Sequence, residues 1–369
     1  MIARSLIASR CGFLHAKRRS PCRNVLRSFV LSAALGMSAL SVGQSSSAKD
    51  LFIGDAGDSS VKQINASSGA FRGAFVAAGS AGLNGPTGMI FTDDELVVVN
   101  QNVGGSNGEI FRFDGETGMF LGKLVASSDL NAPFAPRGIV RGGPDHAFYV
   151  ADDGTRANDC ANQGDVKVYS ESGAFLGNLD RSAFAPAFYP RGVVFGPDGM
   201  LYVSARGCPI SANPNDSLIG YVLRFDPRKK AFADVFASNK TVPDLHRPEG
   251  LVFDREGNLW VTSFRNAGDA SDTDKILKLG GKTGVLLDKL ELSKPGAARA
   301  FAQAIIFGPD GKLFIPITGN DTTTTGQLRR CNPTTKVCDN IVQAGGALQQ
   351  PFYLIFRNSN PATLNYERE

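Results

Sequence analysis

The apolar positions of this chain fall into short runs of three to five residues, separated by turns rich in Gly, Pro, Asn and Asp. Runs of that length, with many β-branched and aromatic side chains, predict strands rather than helices. One phrase recurs along the chain. It reads Pro86-Thr87-Gly88-Met89-Ile90-Phe91, then Pro136-Arg137-Gly138-Ile139-Val140, then Pro190-Arg191-Gly192-Val193-Val194-Phe195. It continues as Pro248-Glu249-Gly250-Leu251-Val252-Phe253, Ala302-Gln303-Ala304-Ile305-Ile306-Phe307 and Pro351-Phe352-Tyr353-Leu354-Ile355-Phe356. The copies lie roughly 50–58 residues apart, a period that marks solenoids, propellers or arrays.

The pattern inside one copy selects among these. Residues 248–253 read as a strand, 254–258 as a turn and 259–262 as a second strand. A polar loop follows, then 275–279 alternate as a half-exposed strand should, and 285–290 return. Four antiparallel strands followed by a link to the next copy make a propeller blade. An apolar pair seven positions apart marks each outer hairpin: Ile64 with Phe71, Phe113 with Phe120, Phe225 with Phe232, and Leu279 with Leu286. In the next copy those places hold Cys331 and Cys338, so a disulfide is expected to replace the hydrophobic pair. The final phrase supplies an inner strand without outer strands, while residues 51–53, 61–64 and 71–76 supply outer strands without an inner one. The expected fold is therefore all-β: a six-bladed propeller of four-stranded antiparallel blades, closed by N- and C-terminal strands in one blade. The tail, residues 358–369, could add or replace a strand and raise the count to seven.

Composition changes the picture mainly at the N-terminus. Residues 1–48 carry seven basic residues and no acid, then an apolar run over 29–42, then Ser45-Ser46-Ser47-Ala48. That is the order of a secretory signal, and the run is short for a membrane span. A membrane anchor or a buried helix is the alternative. The expected domains are a signal over 1–48 and a propeller over 49–369, secreted or periplasmic and monomeric. Without the signal, 32 basic residues face 35 acidic ones, a formal charge of −3. No basic stripe remains for nucleic acid, and no membrane contact is expected after signal removal. Four cysteines remain, an even set that suits an exported chain. Cys160 and Cys208 lie in corresponding loops of neighbouring blades and are expected to pair across them; a metal pair or free thiols are the alternatives.

The repeat, with its Asp-Gly-x-Leu-x-Val element, resembles NHL-type propellers. It is also similar to the wider group of senescence-marker/gluconolactonase proteins, streptogramin lyases and strictosidine-synthase-like proteins. The resemblance spans nearly the whole chain after the signal. It speaks for fold far more than for activity.

In such a ring the middle residue of each phrase should face the central channel. These residues are Thr87, Arg137, Arg191, Glu249, Gln303 and Phe352. The corresponding places after the second strands are Asp55, Asn100, Asp152, Ala205, Ser263 and Ile317. The resemblance to gluconolactonases implies a divalent cation, calcium or zinc, held by oxygen ligands at the channel mouth. Glu249, Asp152 and Asp153 are the candidate ligands here. The resemblance to streptogramin lyases implies a His–Glu couple, for which His246 and Glu249 are the candidates. Arg137 and Arg191 stand where oxygen ligands would be wanted, and calcium needs six to eight oxygens. The alternative chemistry is an anion site of Arg137, Arg191, Arg206 and Arg265, with Asn100 nearby, since guanidinium forks suit carboxylates and phosphates. The same arginines could instead form a channel-lining ion-pair network, Arg137 with Asp152 or Asp153 and Arg191 with Glu249. Trp260 is expected to pack between blades, and residues 269–274 lack the Gly and Glu of a calcium loop. The preferred expectation is a binding or interaction module for a small anionic ligand or a protein partner. The alternative is a metal-dependent, lactonase-like or lyase-like enzyme.

Overall fold

The computed structural model describes residues 50–155, 160, 162–208, 218–266, 268–319, 324–357 and 359. The signal expected over 1–48 and the tail from 360 onward lie outside the described residues. Within them the chain forms six four-stranded antiparallel sheets arranged as a ring, with one short 3-10 turn, Ser80–Gly82. The protein is a six-bladed β-propeller. No helix among the described residues is long and apolar enough to cross a membrane.

From the axis outward, blade 1 holds Pro351–Phe356, Asp50–Asp55, Ser60–Asn65 and Phe71–Val76. Blade 2 holds Pro86–Phe91, Glu95–Asn100, Glu109–Asp114 and Phe120–Val125; blade 3 holds Pro136–Gly142, Ala147–Asp152, Asp165–Tyr169 and Phe175–Asn178. Blade 4 holds Tyr189–Phe195, Leu201–Arg206, Gly220–Asp226 and Ala231–Ser238. Blade 5 holds Leu251–Phe253, Leu259–Ser263, Lys275–Leu279 and Leu286–Glu291; blade 6 holds Ile306–Phe307, Leu313–Ile317, Gln327–Cys331 and Cys338–Val342. The inner strands of blades 5 and 6 begin later than the phrase predicts. Arg247 and Phe301, which precede those phrases, lie in the left-handed region at φ 43° and 49°, and the ladder starts beyond them.

The first and last strands of the described chain share blade 1. Leu51 pairs with Phe356 and Ile53 with Leu354. The buried Asp55 carboxylate accepts backbone N–H bonds from Gln349 and Gln350 at 2.8 and 2.7 Å and binds Lys62 Nζ at 2.7 Å. Joining chain ends in one sheet closes the ring and removes two free edges. All five expected hairpin partners are in register: Ile64 with Phe71, Phe113 with Phe120, Phe225 with Phe232, Leu279 with Leu286, and Cys331 with Cys338. Both expected disulfides form, Cys331–Cys338 and Cys160–Cys208.

The structure explains the recurring phrase. Its last residue is usually Phe, and that ring packs edge-to-face on an aromatic from the second strand of the preceding blade. The pairs are Phe52–Phe91, Tyr149–Phe195, Tyr202–Phe253, Trp260–Phe307 and Phe314–Phe356, with centroids 4.9 to 5.8 Å apart. Such pairs add about 0.5–1.5 kcal/mol each beyond area burial. Blade 3 ends its phrase in Arg141, and the corresponding second-strand position in blade 2 is Val97, so both halves of the pair change together. Trp260 packs between blades as expected, with its indole N–H donating to Asp254 Oδ2 at 2.9 Å. The glycine of the phrase sits where inner strands converge. A Cβ at Gly192 would collide with the Glu249 carbonyl of the next blade. At the perimeter Gly69, at φ +73°, lets its turn press against the Ile341 carbonyl of blade 6 across the closing seam.

Candidate functional site

Alternation along the six inner strands turns one residue of each phrase toward the axis. Thr87, Arg137, Arg191, Glu249, Gln303 and Phe352 all line a single axial cavity. Its volume is ≈ 30 Å³, room for about two water molecules. Sites for drug-sized ligands run to roughly 300–1,000 Å³. A small group can enter this channel, and the body of a ligand must rest on its mouth.

The mouth is built around Asp153, which follows the second strand of blade 3 and is fully buried. Three guanidiniums from two blades converge on its Oδ2: Arg191 at 3.1 Å, Arg206 at 3.3 Å and Arg137 at 3.8 Å. Arg191 also faces Glu249 Oε1 at 3.6 Å, and its side chain is only 4% exposed. Gln101, assigned with its amide oxygen toward Arg137, accepts from that guanidinium at 3.1 and 3.2 Å. Burial, reinforced by the charge of Arg191, pushes Arg206 down to about 10. Asp153 Oδ1 and Arg191 Nε are buried without a hydrogen-bond partner among the described residues. A buried charged atom left this way costs about 1–3 kcal/mol or more, so each calls for an explanation. The Cys160–Cys208 bridge links the loop that follows Asp153 to the loop that follows Arg206, with Cα atoms 5.6 Å apart. It ties together the two segments that supply the carboxylate and one of its guanidiniums.

The residues expected as metal ligands do not fit a cation. Asp152 turns away from the axis. Its oxygens accept the backbone N–H groups of Ala135, Phe134 and Gly154 at 2.7, 2.8 and 3.3 Å. Asp153 is ringed by guanidiniums, and Glu249 is committed to Arg191. Calcium would meet three positive charges where it needs oxygens. Among the described residues no group of three or more His, Cys, Asp or Glu converges as a metal site.

Asn100 is likewise not at the channel. It is buried, accepting from the Asn84 N–H at 2.7 Å and donating to Glu109 Oε2 at 3.0 Å. Asp55, Asn100 and Asp152 thus share one job. Each pairs with the proline that opens an inner strand and holds the loop leading into it. Among the described residues no hydrogen bond or ion pair joins His246 to Glu249, the expected couple. His246 Nδ1 faces Asp272 at 3.7 Å, and burial lowers its affinity for a proton. Arg265 also stands apart, its guanidinium donating to the Ala297 carbonyl at 3.0 Å.

Two arginines that the sequence pattern does not single out join this face. Arg247 and Arg299 lie over the Phe264 ring, 5.3 and 5.4 Å from its centroid. Burial lowers the pKa of Arg247, and the charges of Arg299, Glu249, Asp274 and Arg191 all act on it. Arg247 directly precedes the Pro248-Glu249-Gly250 phrase, a place on the channel face that could have flagged it.

No protein-family model matches the chain, and no curated protein does. Solved structures do match. A chain of a nidogen/laminin complex is 15% identical, over 82% of this chain and 99% of its own, with a TM-score of 0.53. A luciferin-regenerating enzyme is 13% identical, over 83% and 92%, with a TM-score of 0.53. Hydrazine synthase from Kuenenia stuttgartiensis is 16% identical, over 77% and 74%, with a TM-score of 0.52. At such identities the likeness is one of fold. The six-bladed propeller expected from the repeat is the architecture found.

Proposed function

We propose that this chain is an exported propeller that binds a small anionic ligand at the channel mouth. The observation that carries the reading is the convergence of Arg137, Arg191 and Arg206 on one buried carboxylate. The network holds its guanidiniums in fixed geometry. Preformed forks of this kind recognise carboxylate or phosphate oxygens with little further ordering. The narrow channel admits the anionic group while the rest of the ligand lies on the mouth. The signal-like start and two disulfides support export. The donor set argues against the metal-dependent hydrolase or lyase, because each candidate ligand already serves an arginine or the backbone.

The test is calorimetric titration of acetate and inorganic phosphate into the wild type and an Arg137→Ala/Arg191→Ala double variant. Binding by the wild type and its loss in the folded double variant are expected. Equal titrations for the two proteins reject the reading. Stoichiometric calcium or zinc in the purified protein, with chelator-sensitive lactone hydrolysis, would replace it with the enzyme.

A further inference from the structure

We infer that the ligand carries two separated carboxylate groups, one for the Asp153 arginine cluster and one for a second guanidinium site formed by Arg247 and Arg299. The inference rests on the anion-binding reading and specifies the ligand class. The second site is built, not incidental. Arg299 is held on both sides, donating to Asp274 Oδ1 at 3.0 Å and lying 4.0 Å from the Phe301 ring centroid. Asp274 is fully occupied, since it also accepts the backbone N–H groups of Arg265 and Ala300 at 2.9 and 2.8 Å. Its hydrogen bonds all go to other partners, while its charge also acts on Arg247. Among the described residues Arg247 forms no ion pair, and the Nε atoms of both Arg247 and Arg299 are buried without a hydrogen-bond partner.

The backbone makes the same point. Arg247 sits at φ 43° and Phe301 at φ 49°, while the matching place in blade 2 is Gly85 at φ 80°. Glycine takes this conformation freely, and bulky side chains do not. Blades 5 and 6 keep large residues here, and those residues carry or support the guanidinium pair. Strain retained at such a place points to a functional demand. Glu249, between the two sites, is drawn on by Arg191 at 3.6 Å, and its charge also acts on Arg247. Across the two clusters Asp153, Glu249 and Asp274 meet the five guanidiniums of Arg137, Arg191, Arg206, Arg247 and Arg299, and a ligand carboxylate at each end supplies the two negative charges that are missing.

The test is calorimetric titration of the intact, disulfide-bonded protein with acetate, malonate, succinate, glutarate and inorganic phosphate. The best diacid is expected to bind about tenfold or more tightly than acetate, the gain of roughly one charge-assisted contact. Arg247→Gln should bring every diacid to within about twofold of acetate measured on the same variant. Arg247→Lys, which keeps the charge without the fork, should fall between. Acetate binding with no diacid gain, or a gain that survives in Arg247→Gln, overturns this inference alone. Phosphate binding above every diacid and unaffected by Arg247→Gln assigns a single compact dianion and also overturns it. No binding of any probe to the wild type removes the anion-binding reading itself.

Discussion

Replacing Asp153 by Asn removes one charge and almost no volume, and it leaves three guanidiniums without their shared counter-ion. At 3.1, 3.3 and 3.8 Å, each attraction is worth about 4–5 kcal/mol gross at an effective dielectric near 20. Desolvation and repulsion among the arginines offset much of this. Breaking a buried charge network from one side costs about 3–5 kcal/mol net. For a propeller of this size, at about 2 °C per kcal/mol, the melting temperature should fall by roughly 6–10 °C. The arginines remain, so an added anion can take the place of the lost carboxylate. Ligand at 100 times its Kd returns about 2.7 kcal/mol. Melting followed by near-ultraviolet circular dichroism, in chloride and in low-millimolar sulfate, reads both effects. Sulfate should raise the variant by several degrees more than the wild type, at concentrations too low for general salting-out. A variant that melts within 2 °C of the wild type, or that responds to sulfate no more than it does, would refute the reasoning.

Other outcomes follow from the same contacts. Arg247→Gly should bind diacids poorly yet gain about 0.5–1 kcal/mol of stability in urea melts, because relief of the left-handed strain outweighs the added chain entropy; a loss above 1 kcal/mol would count against strain at this residue. Removing Cys160–Cys208, a separation of 48 residues, should cost up to about 4 kcal/mol and weaken acetate binding. Removing Cys331–Cys338, a separation of 7, should cost about 2 kcal/mol and leave binding intact, and single-bridge Ser variants in paired melts and titrations separate the two. His246 binds a proton less readily in the folded chain because of burial. The unfolded chain therefore holds more protons, and stability should decline as pH falls from about 6.5 toward the lower folded value. His246→Gln should flatten urea midpoints measured across that window.

Much of this architecture was legible because each feature of the repeat answers a local demand. The Phe ending most phrases is half of an interblade aromatic pair, the Gly is where neighbouring inner strands touch, and the hairpin partners seven apart are cross-strand neighbours. The alternation that placed Arg137, Arg191 and Glu249 on the axis is simply the two-residue period of a strand. The same logic misplaced Asn100 and Asp152. A residue ending a second strand is near the mouth, but a short polar side chain there finds unpaired backbone N–H groups closer than the channel. His246 and Arg265 lie in irregular loops, where no period tells which way a side chain turns. Arg299 was invisible for another reason: it lies in an irregular link between blades, and its partners Phe264 and Asp274 flank the loop between the second and third strands of blade 5, a contact that no strand period encodes. The place of Arg206 at the end of a second strand is legible from the pattern, whereas its shared contact with Asp153 alongside Arg137 and Arg191 is a three-dimensional fact.

Crystals soaked in selenate would locate bound anion directly by its anomalous signal. A peak within hydrogen-bond reach of the Arg137, Arg191 and Arg206 guanidiniums, absent from crystals of the Arg137→Ala/Arg191→Ala variant, is the predicted result. A mouth empty of selenate, or one holding a cation ligated by Glu249 and Asp153, would contradict it.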